Sequence, residues 1–234
     1  MRLLVTRPEP GGERSAAMLR ARGHEVLLAP LLRIEAVADA DLGAPPWAAI
    51  LLSSANAARA IAAHPQIGAL IALPVLAVGQ RSAEAARAAG FIDVQSADGD
   101  AQNLAQVAAT RFAGSHTPLL YLAGEERARD LAGELGELSV RTVVVYRAVK
   151  ITSLPAAVRA ALIADQLDGV LHFSQRSAEA YIACARVVGL LDKALAPIHY
   201  CLSPRVASPL AGAANIRIAS RPEETSLLDL VALR

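Results

Sequence analysis

One strand-to-helix corner is written twice in this chain. "ILLSSANAARAI" (50–61) and "VLHFSQRSAEAYI" (170–182) each run from an apolar, strand-like segment through serine into an alanine-rich helical pattern, and Ser54 and Ser174 stand 120 residues apart. A second pair follows at nearly the same offset, "PVLAVGQRSAEAARAAG" from Pro74 and "PIHYCLSPRVASPLAGA" from Pro197. Both copies then pass through a strand into a polar turn and a last helix, "SADGDAQNLAQVA" and "ASRPEETSLLDLV". Two copies of such a unit within 234 residues predict two small domains of the same kind.

Short apolar β-type runs alternate with helical patterns along the whole chain, which predicts parallel α/β sheets. The first unit is "LLVT" (3–6), a helix over 15–22 stopped by Gly23, and a strand "EVLLA". "LLRIEAVADADLGAPPW" reads as a connector, with Pro45 and Pro46 blocking regular structure. Residues 47–146 hold five strand candidates, "AILL", "VLAV", "IDVQ", "PLLYL" and "TVVVY"; the helix expected after "PLLYLAG" places Ala128, Leu131, Ala132 and Leu135 on one face. A second connector, "RAVKITSLP", precedes three more strands, "GVLHF", "IHYCL" and "IRIAS". Two strands before the middle block and three after it match the five within it, so the block reads as a whole domain inserted into another. Domain 1 then spans 1–35 and 153–234, domain 2 spans 47–146, and 36–46 and 147–152 are the connectors. Two thin connectors predict hinge closure on the microsecond-to-millisecond scale of domain motions.

Charge and composition remove several function classes. The 23 basic residues nearly balance 22 acidic ones, without the basic stripe of a nucleic-acid binder. Only Lys150 and Lys193 are lysines; the arginine excess either suits acidic ligands, which guanidinium grips bidentately, or reflects a GC-rich coding sequence. Cys184 and Cys201 form no CxxC pair, as in a reducing compartment. The longest uncharged apolar run, 67–79, contains Pro74 and falls short of the roughly 20 residues of a bilayer span. "MRLLVTRPEP" has too short an apolar core for a signal peptide. A cytoplasmic protein with no membrane or nucleic-acid partner is expected.

Ligands of open parallel sheets bind beyond the carboxyl ends of the strands, where helix N-termini expose backbone N–H groups. This chain places Thr6–Arg7, Ser53–Ser54, Gly79 to Ser82, Gly124, Ser174 to Ser177 and Ser203 to Arg205 at those ends. Each serine is either a helix N-cap or an anion donor. No GxGxxG follows the first strand, and no GxxxxGK[ST], HExxH or G-x-S-x-G occurs. His199 and Cys201 share a strand face with His172 nearby, which reads as buried, hydrogen-bonded histidines in preference to a metal site. Neither a metal nor a cofactor is expected.

The segments "LLVTRPEPGGERSAAMLRARGHEVLLAPLLRIEAV", "ILLSSANAARAI", "VLAVGQRSAEAARAAG", "YLAGEERARDLAGEL", "VVVYRAV" and "VLHFSQRSAEAYI", in this order, resemble the uroporphyrinogen-III synthases over nearly the whole chain. The resemblance implies two flavodoxin-like, doubly wound parallel-sheet domains, the second inserted into the first and joined by two extended connectors. It implies a cofactor-independent cyclisation of hydroxymethylbilane, a linear octacarboxylate, to uroporphyrinogen III with loss of water and inversion of ring D through a spiro intermediate. Tyr146 would be the catalytic hydrogen-bond donor, or else only a strand-end tyrosine. Thr6, Arg7, Ser53, Ser54, Gly79, Ser82, Gly124, Arg127, Ser174 and Ser177 would meet substrate carboxylates, largely through backbone N–H groups; Arg7 and Arg127 could instead pair with Glu9, Glu125 or Asp130. A monomer making transient contact with the upstream deaminase is implied as well.

The last repeat departs from the family pattern: in "CLSPRVA", Leu202 replaces a glycine and Arg205 a hydroxyl residue, and Pro209, inside the helix expected there, should kink or shorten it. These departures keep a second function class open, a non-catalytic two-domain protein that binds a tetrapyrrole or another anionic small molecule.

Overall fold

The computed structural model describes residues 1–126 and 131–231. Its strands are β1 (Arg2–Val5), β2 (Glu25–Leu28), β3 (Leu32–Ala36), β4 (Ile50–Leu52), β5 (Val75–Ala77), β6 (Val94–Ser96), β7 (Leu119–Gly124), β8 (Val140–Lys150), β9 (Gly169–His172), β10 (Ile198–Cys201) and β11 (Ile216–Ile218). The helices are α1 (Gly11–Ala21), α2 (Ala55–Ile61), α3 (Ile67–Leu70), α4 (Gln80–Ala88), α5 (Ala101–Arg111), α6 (Ala156–Ile163), α7 (Gln175–Val187), α8 (Leu191–Leu195), α9 (Pro204–Ala207) and α10 (Glu224–Leu228).

The strands form two sheets in two compact units. One unit comprises Met1–Arg33 and the chain from Val149 onward; the other is Ile34–Ala148. The first has a five-stranded sheet in the order β11-β10-β9-β1-β2, parallel throughout. β1 pairs with β2 and β9, so "LLVT" joins no strand of the middle block. The second sheet has six strands, β3-β8-β7-β4-β5-β6, where five were expected. The sixth is β3, from the segment read as running into a connector; β8 likewise continues four residues beyond Tyr146. Val37 N–H donates to the Val145 carbonyl at 2.8 Å, and Glu35 meets Arg147 at 3.6 Å. An edge strand needs only one paired side, so the partly polar "LRIEA" can fill that place although its sequence lacks the apolar run of a central strand.

Central strands are covered on both faces, and successive residues feed opposite cores. Leu4 and Val170 pack with α6 and α7, whereas Leu3, Val5 and Leu171 pack with α1 and α10. In the other unit Ile50 and Leu52 face α2 and α4, while Leu51 and Tyr121 face α5. The period of two along a strand thus builds a layer on either side of each sheet, and both units are doubly wound. Ala57, Ala58, Ala83 and Ala86 are fully buried where α2 and α4 meet, because residues this small let the two helices approach closely.

Local signals act as the sequence suggests in two places. Gly23 takes φ 82° just after α1, a left-handed conformation that glycine adopts without the steric cost a Cβ would bring. Pro209 follows a helix cut to Pro204–Ala207 and lies in a 3₁₀ turn, Ser208–Leu210. The helix expected after β7 differs. Ala128 lies outside the described residues, and Gly133–Leu135 is a 3₁₀ turn. Leu131 and Leu135 are nonetheless buried against α5, so the apolar spacing serves the core with no α-helix among the described residues 131–135.

The first unit buries two histidines in its sheet. His172 Nε2 and His199 Nδ1 lie 3.1 Å apart on adjacent strands, and the Tyr181 ring packs edge-on to both. Both rings are fully buried; His172 Nδ1 and His199 Nε2 make no hydrogen bond of good geometry. Burial, together with the neighbouring His199, holds His172 well below its usual pKa. Burial brings His199 down to about 4, although the Leu195 and Ala194 carbonyls offset part of the shift. Because the folded values lie below the unfolded ones, this stability is complete above the unfolded pKa of 6.5 and is lost as pH falls towards the folded values.

Two outcomes follow from this packing. Leu51→Ala, at a fully buried site, should cost about 2–5 kcal/mol in urea denaturation, while Ile163→Ala, at a largely exposed one, should stay within about 0.5 kcal/mol. The unfolding free energy should also fall below about pH 6.5 by up to about 1.4 kcal/mol per pH unit for each histidine. Replacing His199 with Phe should flatten that limb.

Candidate functional site

Each unit carries its own set of strand-end corners, and most of their hydroxyls are already engaged. Thr6 Oγ1, fully buried, donates to the Leu171 carbonyl at 2.9 Å and ties β1 to β9. Ser54 caps α2 by accepting from Asn56 N–H at 3.1 Å. Ser174 caps α7, accepting from Ser177 N–H at 3.1 Å, and its hydroxyl lies 2.8 Å from that of Ser177. Ser53 Oγ stands 2.6 Å from the hydroxyl of Tyr121 on β7. These hydrogen bonds fix the corners.

The α4 corner is the clearest instance. Gly79 precedes the helix in extended backbone (φ −163°) and offers no side-chain cap. A Cβ on Gly79 would meet nothing within 4 Å, so the space before this helix end is open. The N–H groups of Ser82 and Ala83 bond to the Gly79 carbonyl, and Ser82 is buried against the helix. The positive end of the helix dipole favours an anion at this position.

Tyr146 and Gly124 form a second constellation in the same unit. Glu125 N–H donates to the Tyr146 carbonyl at 2.9 Å, beside a bulge between Ala123 and Gly124. The end of the tyrosine side chain lies against Gly124: an added Cβ would come within 2.6 Å of Tyr146 Cζ and 2.8 Å of its hydroxyl. An alanine here would require the tyrosine side chain to shift. The Tyr146 side chain is half-buried, with its hydroxyl at the carboxyl end of β7.

In the other unit, Arg7 already has a carboxylate. Its guanidinium donates to Glu224 at 3.0 Å and to Ser15 at 3.2 Å, and lies 4.4 Å from the centre of the Phe173 ring. Glu9, the partner considered from sequence, instead accepts from Glu13 N–H at 3.0 Å at the start of α1. Arg127 lies outside the described residues. At the altered corner Ser203 still caps α9, Leu202 packs into the core, and the exposed Arg205 donates to Gln175 at 3.0 Å. Three contributors were missed from sequence: Tyr121, hidden in the apolar run "PLLYL"; Phe173; and Glu224, whose polar turn showed no link to Arg7.

Within the first unit, Thr6, Arg7, Ser174 and Ser177 gather at neighbouring corners, those of β1 and β9. Within the second, Ser53, Ser54, Gly79, Ser82, Gly124 and Tyr146 occupy the carboxyl ends of β4, β5 and β7 or lie against them. Among the described residues, no group of three or more His, Cys, Asp or Glu side chains is arranged to hold a metal ion. No described helix is long and apolar enough to cross a membrane.

The family model described as Uroporphyrinogen-III synthase HemD matches residues 13–229. Among solved structures, the chain is similar to uroporphyrinogen-III synthetase from Helicobacter pylori, with a TM-score of 0.64 and 17% identity over 98% of each chain. It is also similar to a mutant uroporphyrinogen III synthase from the extremely thermophilic bacterium Thermus thermophilus, with a TM-score of 0.52 and 16% identity over 98% of this chain and 96% of that one. At such identities the structural likeness speaks for the fold. No curated protein matches the chain.

Contact between the Tyr146 ring and Gly124 has a measurable consequence. Gly124→Ala should cost about 1–3 kcal/mol in urea denaturation because the ring must shift. The penalty should largely vanish in a Tyr146→Ala background, since the three nearest atoms an added Cβ would meet all belong to Tyr146. An equal penalty in both backgrounds would locate the strain elsewhere.

Proposed function

Because the chain belongs to the uroporphyrinogen-III synthase HemD family, we propose that it cyclises hydroxymethylbilane to uroporphyrinogen III, losing water and inverting ring D through a spirocyclic pyrrolenine. The substrate carries its own reactive group. Hydroxide leaves its hydroxymethyl carbon to give an azafulvene cation, ring D attacks, and a proton is lost after rearrangement and closure. The protein's task is to fold the linear chain, assist the departing hydroxide and prevent direct closure to isomer I. Positioning and fixed dipoles suffice for this without a cofactor.

The observation that carries the reading is the Tyr146 hydroxyl, which stands at the end of β7 with the end of its side chain packed against Gly124. A phenol so placed can donate a hydrogen bond to the departing hydroxide. The start of α4, with open space before Gly79, suits a substrate rich in carboxylates. Since the corner hydroxyls serve their own helices, recognition falls to many main-chain donors, and single side-chain losses should be tolerated.

The direct test is to supply freshly made hydroxymethylbilane and measure the ratio of isomer III to isomer I with and without the protein. Isomer III in excess is expected; a ratio unchanged by the protein would favour a binding protein for tetrapyrroles or other anions. Tyr146→Phe removes one neutral hydrogen bond and should slow turnover about two- to tenfold while still giving mainly isomer III. A loss of about a thousandfold with the fold intact would make Tyr146 an obligatory acid and overturn catalysis by positioning.

A further inference from the structure

In the unit containing β1, one carboxylate ties together segments that are far apart in the chain. Glu224, the first residue of α10, accepts from Ser15 Oγ at 2.6 Å, from Arg14 at 2.8 Å and from Arg7 at 3.0 Å. Its side chain is only 13% exposed, against 22% for Arg7 and 40% for Arg14. Burial by itself would raise the Glu224 carboxyl, but hydrogen bonds from Ser15 and Arg14 and the charges of Arg7 and Arg14 outweigh it and leave the pKa lowered. The clamp is therefore ionised at neutral pH.

Arg7 carries this tie onward. It directly follows Thr6, whose hydroxyl bonds to the Leu171 carbonyl, and its guanidinium rests on Phe173, the residue before the Ser174 cap of α7. A Cβ on Gly11 would come within 2.6 Å of Arg7 Nε, so the glycine leaves room for this arrangement. Glu224 thus reaches through Arg7 to the loop between β1 and α1 and to the loop between β9 and α7. A separate tie joins α1 to α10 at the other end, where Arg22 donates to the Leu228 carbonyl at 2.7 Å and meets Asp229 at 3.0 Å.

We propose that Glu224 is a positioning residue for substrate binding: it pins the Arg7 guanidinium on Phe173 and so holds the β1–α1 and β9–α7 corners as one rigid donor surface. This rests on the reading that those corners receive substrate carboxylates. Arg7 then acts mainly as the pin, its charge balanced within the protein, and the main-chain donors beside it meet the ligand. The assignment adds to the site a residue 217 positions away from Arg7 in the chain.

Hydrogen exchange on the full-length protein, combined with steady-state kinetics, tests the idea. Glu224→Gln keeps the side chain's size but removes its charge. It should speed amide exchange in residues 6–12 and 173–177 about tenfold, and raise KM for hydroxymethylbilane about three- to tenfold with kcat within about twofold. Arg22→Ala loosens α10 at the opposite end; it should lower the unfolding midpoint yet leave both corners and KM unchanged. Ser15→Ala removes one donor to the carboxylate and no charge. It should produce a smaller change in the same two segments, which keeps the test available should Glu224→Gln fold poorly. Unchanged corner exchange in Glu224→Gln, or equal effects of Glu224→Gln and Arg22→Ala, would overturn the proposal. Should the wild-type protein form no isomer III, the functional reading falls, and the exchange data still decide whether the pin exists.

Discussion

The central strands of both sheets are covered on two faces by apolar side chains, and this double burial governs where polar chemistry can sit. A polar group in mid-strand must find a partner inside the protein or bear the cost of desolvation. His172 and His199 turn to one another and stay neutral as burial lowers their pKa values. Cys201 on the same strand is pushed up to about 12 by burial, which leaves its thiol protonated and inert at neutral pH. Thr6, Ser53 and Ser174 stand just beyond the ends of β1, β4 and β9.

At those ends side chains and main chain divide the work. Serine and threonine hydroxyls cap helices or staple strands, as Thr6 does to Leu171 and Ser174 does to Ser177. Their engagement fixes the loops, and the fixed loops present backbone N–H groups. A preorganised array of such donors costs little reorganisation when an anion arrives. A site made this way suits a ligand with many carboxylates and a reaction whose reactive cation comes from the substrate.

The two corners with the most elaborate support differ in physical character. Gly124 receives Tyr146 by shape alone, so a single methyl group is enough to disturb it. Arg7 is held by charge, hydrogen bonding and the face of Phe173 together, in a half-buried setting where screening by water is reduced. The first arrangement places a hydroxyl group, and the second steadies loops.

Side-chain periodicity within short windows was enough to establish the alternation of strands and helices and the breaks at Gly23 and Pro209. It also marked the corner residues Ser54, Gly79 and Ser174, because cap and turn chemistry is local. Pairing partners were beyond its reach. β3 joins a sheet edge through backbone hydrogen bonds that a partly polar strand can make as well as an apolar one, and "LRIEA" carries no mark of that choice. Leu131 and Leu135 keep a helical spacing and a buried position, yet Gly133–Leu135 is a 3₁₀ turn. Ser53 meets Tyr121 across 68 residues and Arg7 meets Glu224 across 217, while the nearer Glu9 is drawn to the start of α1. Such partners are selected by strand order and by which helix crosses which face. These are properties of the assembled sheets, whereas the pattern that built each strand and helix depends on neighbours only a few residues away.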